Sequence, residues 1–264
     1  MRSIGSVLPF ACAAVLLVAI PVKAAAPAPP PTLTAYMSIG VQSAVKDLIP
    51  EFEAATGQPI EATWATATTL DKRIRAGDAA DLLISTRGGI EALIREGKVV
   101  AGSAVDIASS GVGIAVRKGD PVPDVSTPEA LKRTLLAARA ISYSDPAAGG
   151  TSGVHFAKVL ERLGIAGQVK SKTRFPPPNG LAASLLVSGE TDLAIQQAQE
   201  LASVAGVEVI GSLPGDLQLI TTFTAGIPSV ARQAAAAGAF VHFLQSPRAQ
   251  ALMEQRGLDP SIER

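Results

Sequence analysis

Cysteine is almost missing from this chain of 264 residues: the one copy, Cys12, lies in an apolar run near the start. A disulfide framework is therefore excluded, and the fold has to rest on its core. Histidine is nearly as scarce, with two residues, His155 and His242, far apart and without flanking ligand residues. No structural zinc site, and no other metal site, is expected. Aromatic residues make up 4% against 47% hydrophobic residues in all, so Ala, Val, Leu and Ile must build the interior. Charge of either sign is not in excess, since 23 Lys and Arg balance 23 Asp and Glu. With neither a basic stripe nor interleaved aromatics, nucleic acid is not an expected partner. The glycine-rich stretches "GGTSG" and "SGVG" carry no Walker lysine or dinucleotide fingerprint, and no cofactor is expected. A nucleophile elbow G-x-S-x-G is missing as well, although "GTSG" comes near it, so a hydrolase built on Ser152 and His155 lacks its motif.

What is present begins with "MRSIGSVLPFACAAVLLVAIPVKAAAPAPPP". One early cation, Arg2, precedes an apolar run that ends in small residues around Ala24. This pattern predicts a secretory signal peptide over residues 1–24 and a Pro/Ala leader over 25–31. A membrane anchor is the alternative, and the small residues at the end favour cleavage over it. Lipid attachment at Cys12 is disfavoured, because Pro9, Phe10 and Ala11 make a poor lipobox. No second apolar segment is long enough to span a bilayer. The expected mature protein is a soluble periplasmic monomer of roughly 235 residues, enough for one large or two small domains.

Along the mature chain, strand-like and helix-like patterns alternate. "TLTAYMSI", "PIEATWAT", "ADLLIST", "AISYSDP", "VKSKTRFP", "TDLAIQQ" and "VEVIGSLP" read as strands. Helical patterns fill the intervals, among them "VQSAVKDLIPEFEAATG", "TTLDKRIRAG", "GGIEALIREGKV" and "NGLAASLLVSGE". Thr127-Pro128-Glu129 opens another helix with an N-cap, a first-turn proline and an acid. "SVARQAAAAGAFVHFLQSPRAQALMEQRG" closes the chain with two more, and His242 falls within the first as a structural residue. "ASSGVGIAVRKG" and "LQLITTFTAGI" read as strands that cross between domains. The alternation predicts an α/β fold of mainly parallel sheets covered by helices.

Three strand-to-helix junctions share one chemistry: Ser38-Ile39-Gly40, Thr66-Ala67-Thr68-Thr69 and Gly150-Thr151-Ser152-Gly153. Each puts hydroxyls and small residues at the carboxyl end of a strand, where open α/β sheets bind ligands. Helix N-termini there present free N–H groups and partial positive charge, which suits an anion. In "GGTSGVHFAKVLERLGI", Ser152 takes the place of an N-cap and His155 falls at the third helical position.

The stretches "LTAYMSIGVQSAVKDLIPEFEAATGQPIEATWATATTLDKRIRAGDAADLLIS" and "GTSGVHFAKVLERLGIAGQVKSK" resemble the type II periplasmic solute-binding proteins, in particular the molybdate-binding proteins of ABC importers. Weaker support comes from "SLLVSGETDLAIQQAQEL" and "FLQSPRAQALMEQRGLDP". The resemblance implies two α/β lobes joined by two crossover strands, with the ligand in the cleft between them and an ABC permease as partner. One lobe would hold residues 32–110 and 217–264, the other 111–216. Where molybdate binders place serines, this chain has Gly40 and Ala67; Ser152 matches the third position, and their tyrosine falls on Gln197. A compact oxyanion needs several short donors aimed at one centre. Their loss points to a wider pocket for an organic di- or tricarboxylate, lined by Ser38, Gly40, Thr66, Thr68, Ser152, Gly153 and Gln197. Arg87 and Arg117, and as a third choice Arg174, could reach a carboxylate in bidentate fashion.

The chain also resembles a branch of that family that includes aconitate isomerase, an exported enzyme that moves a double bond by an allylic proton shift without a cofactor. Such a reaction needs a base near the methylene carbon and donors around the carboxylates. His155, held neutral by the positive helix end, is the candidate base if the protein is an enzyme. The alternative is a histidine beside an anion site with no part in chemistry. Binder and isomerase both remain open on the sequence.

Overall fold

The computed structural model describes residues 30–178 and 180–260. The expected signal peptide, and all but the last two residues of the leader, lie outside the described residues. The strands are β1 (Leu33–Ser38), β2 (Ile60–Ala65), β3 (Leu82–Thr86), β4 (Val105–Arg117), β5 (Ile141–Tyr143), β6 (Thr173–Arg174), β7 (Leu193–Gln197), β8 (Val207–Ser212), β9 (Ile220–Gly226) and β10 (Asp259–Pro260). The helices are α1 (Gln42–Thr56), α2 (Ala67–Ala76), α3 (Arg87–Arg95), α4 (Pro128–Ala137), α5 (Thr151–Arg162), α6 (Ala166–Val169), α7 (Ser184–Val187), α8 (Ala198–Ala202), α9 (Ala234–Leu244) and α10 (Pro247–Gln255).

Each lobe has a parallel heart. β1 pairs in parallel with β2 and β3 in the first, and β5 with β6 and β7 in the second. Every antiparallel pairing between these strands involves β4 or β9. The reason is the length of β4, whose 13 residues serve both lobes. Its first half pairs with β9, from Val105 opposite Ala225 to Gly111 opposite Ile220. Its second half pairs with β7 and β8. A strand shared in this way makes a two-lobed α/β fold whose halves are linked by main chain, with helices covering the sheets.

The apolar interior divides in the same manner. Leu33, Met37, Leu48, Phe52, Ile84, Phe240 and Met253 meet in one cluster, while Ile114, Leu131, Phe156, Leu160 and Ile195 meet in another. Each such side chain contributes about 1.5–3 kcal/mol by leaving water. Caps stop and start the helices where the sequence has the residues for it. Thr127 accepts from the Ala130 N–H at 3.1 Å, and Gly57 and Gly77 end α1 and α2 in the left-handed region.

Two expectations need correction. "VKSKTRFP" forms a strand only at Thr173–Arg174, since Pro176, Pro177 and Pro178 have no N–H to extend the ladder. "NGLAASLLVSGE" gives a regular helix only over Ser184–Val187. The proline run instead becomes a wall of the cleft between the lobes.

Candidate functional site

The three junctions converge on one cavity between the lobes. The first lobe supplies Ser38, Ile39, Gly40, Thr66 and Ala67. Across from them stand Ser144, Asp145, Ala148, Gly150, Thr151, Ser152 and the three prolines, and Gln197, Glu200 and Phe223 also line the cavity. Ser38 is buried and its hydroxyl accepts from the Gly40 N–H at 3.2 Å, which shapes the turn before α1. Thr66 caps α2, accepting from the Thr69 N–H at 3.3 Å. The first main-chain bond in α2 runs from Leu70 N–H to Thr66 C=O, so the Ala67 and Thr68 N–H groups precede the ladder.

The third junction differs in detail from the expectation. Gly150, not Ser152, is the N-cap of α5, and Ser152 is its second residue, buried against the cavity. The cause is local. Asp145 accepts from the Ala147 N–H at 2.9 Å and winds a short turn over Pro146–Ala148, and Gly149 at φ 76° then swings the chain into the helix early. The first bond of α5 is Val154 N–H to Gly150 C=O, leaving the N–H groups of Thr151, Ser152 and Gly153 ahead of it. Gly153 does not line the cavity but lets the helix approach, because a Cβ there would overlap the Ser144 carbonyl oxygen.

The lobes touch across the cavity mouth. Thr68 Oγ1 donates to Gly149 C=O at 2.8 Å, and Thr66 Oγ1 to Ala148 C=O at 3.3 Å. Thr68 is thus a clasp at the rim rather than part of the lining. Deeper in, Gln199 Nε2 donates to Gly40 C=O at 2.7 Å, and its Oε1 accepts from the Ser110 hydroxyl.

Residues 33–259 match the family described as bacterial extracellular solute-binding protein. The chain belongs to that family. Over 257 residues it is 31% identical to aconitate isomerase of a Pseudomonas species, covering 95% of each chain. It is 21% identical over 227 residues to the molybdate-binding protein ModA of Escherichia coli strain K12, covering 85% of this chain and 88% of that one. In structure it is similar to the periplasmic molybdate-binding protein of Azotobacter vinelandii, with a TM-score of 0.71 and 19% identity, over 88% of this chain and 100% of that one.

Several side chains expected in the cleft of this solute-binding protein are elsewhere. Arg87 is ion-paired with Asp106 and Arg117 with Asp120, both on exposed surface, and exposed Arg174 donates to the carbonyls of Ser171 and Thr173. None of the three lines the cavity, and neither does any other Arg or Lys among the described residues. Strand-end arginines point to water, and acids close by pair with two of them. His155 is also displaced. Because α5 starts at Thr151, His155 is its fifth residue, a full turn from the helix start, and its Nε2 lies 2.7 Å from Leu217 C=O. His242 stands on the exposed face of α9. Gln197 does reach the cavity, but its amide serves the crossover strands. In the orientation that satisfies its neighbours, the NH2 donates to the Ser110 and Gly111 carbonyls and the oxygen accepts from Thr221.

Glu200 and Phe223 were not expected. Glu200 is 7% exposed, and burial pushes its carboxyl up to about 7, against the weaker pull of the Gln196 side chain and the Gln197 backbone. Its signal in the sequence was position: "TDLAIQQ" is a strand, and Glu200 follows its carboxyl end by three residues. Phe223 had no local signal, since its place in the cleft follows from β9 crossing back between lobes. No helix among the described residues is long and apolar enough to cross a membrane. No group of three or more His, Cys, Asp or Glu among them is placed to hold a metal.

Proposed function

We propose that this protein closes on a small organic di- or tricarboxylate in the inter-lobe cleft, in the periplasm. The observation that carries this reading is the packing of Phe223 on Gly40. A side chain at Gly40 would overlap Cζ and Cε1 of the Phe223 ring, so a serine cannot stand there while the ring does. Phe223, Ile39 and the proline run give the cavity apolar walls, and the Ser38, Thr66 and α5 junctions give it donors. A tetrahedral oxyanion wants donors on every side. An organic acid instead presents carboxylates to the helix starts and carbon to the ring. Calorimetry tests this: trans-aconitate or a related polycarboxylate should bind, and molybdate and tungstate should bind weakly or not at all. Tight molybdate binding overturns it.

Two fates of the ligand fit the site. Delivery to an ABC permease is the general role of the family. Isomerisation has a specific support, since the relative at 31% identity is named aconitate isomerase and a buried carboxyl lines this cavity without a cation beside it. We favour isomerisation of trans- to cis-aconitate. Incubation with trans-aconitate followed by NMR decides between turnover and mere binding.

A further inference from the structure

Glu200, and not His155, occupies the place where a proton could be moved. We infer that the Glu200 carboxylate is the proton-transfer group of the cleft, taking a proton from the allylic methylene of a bound unsaturated polycarboxylate and returning it to the far carbon of the same three-carbon unit. This rests on the isomerase reading above.

The argument begins with access. Of the acids and histidines among the described residues, only Asp145 and Glu200 line the cavity. Asp145 is half-buried and its Oδ1 is held by the Ala147 N–H, where it shapes the turn ahead of α5. His155 has its Nε2 against Leu217 C=O and does not line the cavity. Glu200, in α8 of the second lobe, lines the same cavity as Ser38, Gly40 and Thr66 of the first.

Its position is held from both sides. Gln197 is tied to Ser110, Gly111 and Thr221 of the crossover strands, and Gln199 to Gly40 C=O and the Ser110 hydroxyl. The neighbours of Glu200 are therefore fixed to the first lobe's ligand turn and to β4, so closing the lobes places the carboxyl against whatever the Gly40 turn holds. That is the preorganisation a proton transfer needs. Burial without a cation beside it makes the carboxyl a stronger base than an exposed glutamate, so it can both accept and return a proton near neutral pH.

The step balances without a cofactor. The C–H bond of the methylene breaks and its electron pair spreads over the three carbons and the attached carboxylate, while Glu200 becomes a carboxylic acid. That acid then gives its proton to the carbon that began as the far end of the double bond. The double bond moves by one carbon, and Glu200 is again ionised. The negative charge that develops on the carboxylate falls to the N–H groups at the starts of α2 and α5.

The test compares wild type, Glu200→Gln and His155→Gln in deuterated water with trans-aconitate, following cis-aconitate and methylene deuterium by NMR and binding by calorimetry. The expected result is that Glu200→Gln still binds the acid but isomerises and exchanges it about 100-fold more slowly or less, while His155→Gln keeps most of its turnover. Turnover in Glu200→Gln within about tenfold of wild type overturns Glu200 as the base while leaving the isomerase reading standing. Wild type that binds the acid without exchange or isomerisation overturns that reading and this inference together. If Glu200→Gln does not melt cooperatively, Glu200→Asp decides in its place. Withdrawing the carboxyl by one methylene should slow turnover strongly, and unchanged turnover rejects the assignment.

Discussion

Thr68 and Gly149 are joined across the mouth of the cleft, the threonine hydroxyl donating to the glycine carbonyl at 2.8 Å. The two residues are on different lobes, at the start of α2 and just ahead of α5, so this bond exists only when the lobes are shut. Thr68→Val keeps the shape and removes the donor. A neutral hydrogen bond contributes about 0.5–1.5 kcal/mol net, which corresponds to a loss of roughly two- to tenfold in ligand affinity. Calorimetry should read that loss, and small-angle scattering of the ligand-free variant should show a less compact particle than wild type. Equal compaction and equal affinity would mean that the bond does not hold the lobes together.

Gly40 and Phe223 make a second testable pair. Gly40→Ser forces a side chain into the ring and should destabilise the protein by about 1–3 kcal/mol, as overpacking does. In a Phe223→Ala background the same serine should cost much less, because its obstacle is gone. The non-additivity of the double-mutant cycle, measured by thermal melting, is the quantity of interest. Additive costs would show that the ring moves aside freely, and the selectivity argued from it would then fail.

Much of this was readable in the residues. The alternation of patterns, the cap at Thr127, and the hydroxyl-rich junctions at Ser38, Thr66 and Ser152 follow from local chemistry, whereas the meeting of those junctions at one cavity depends on how the lobes face each other. The displaced residues have a common reason. Whether an arginine at a strand end faces a cleft or pairs with an acid depends on partners distant in sequence, as Arg87 with Asp106 shows. His155 was misplaced by a smaller cause, the early helix start that Asp145 and Gly149 impose. Phe223 reaches the cleft through a strand register, which no short stretch encodes.

The buried acid carries a pH signature in stability. The carboxyl of Glu200 titrates near 7 in the folded chain against an ordinary 4.5. Between those values the folded protein holds a proton that the unfolded chain has lost, so stability falls as pH rises through the window. The full contribution, roughly 3 kcal/mol, is present below about 4.5 and is gone above about 7. Glu200→Gln lacks this term. Relative to wild type, its melting temperature should therefore be higher at pH 8 than at pH 5. A difference between the two proteins that stays constant over that range would place the Glu200 titration elsewhere.

Gly153 tests whether the start of α5 has to lie where it does. An added Cβ would overlap the Ser144 carbonyl oxygen, which is main chain and cannot swing away as a side-chain end would. Gly153→Ala should therefore push α5 off the end of β5 and carry the N–H groups of Thr151 and Ser152 with it. The expected cost in stability is about 1–3 kcal/mol. The cost in affinity should be the larger effect, tenfold or more, because hydrogen bonds to a charged group weaken steeply with misalignment. Gly238→Ala, in the interior of α9 with nothing within 4 Å of its Cβ, is the control. It should leave binding untouched and raise stability by up to about 1 kcal/mol. Should Gly153→Ala bind carboxylates as wild type does, the N-terminus of α5 cannot be holding the anion, and the site would have to be rebuilt around the first lobe alone.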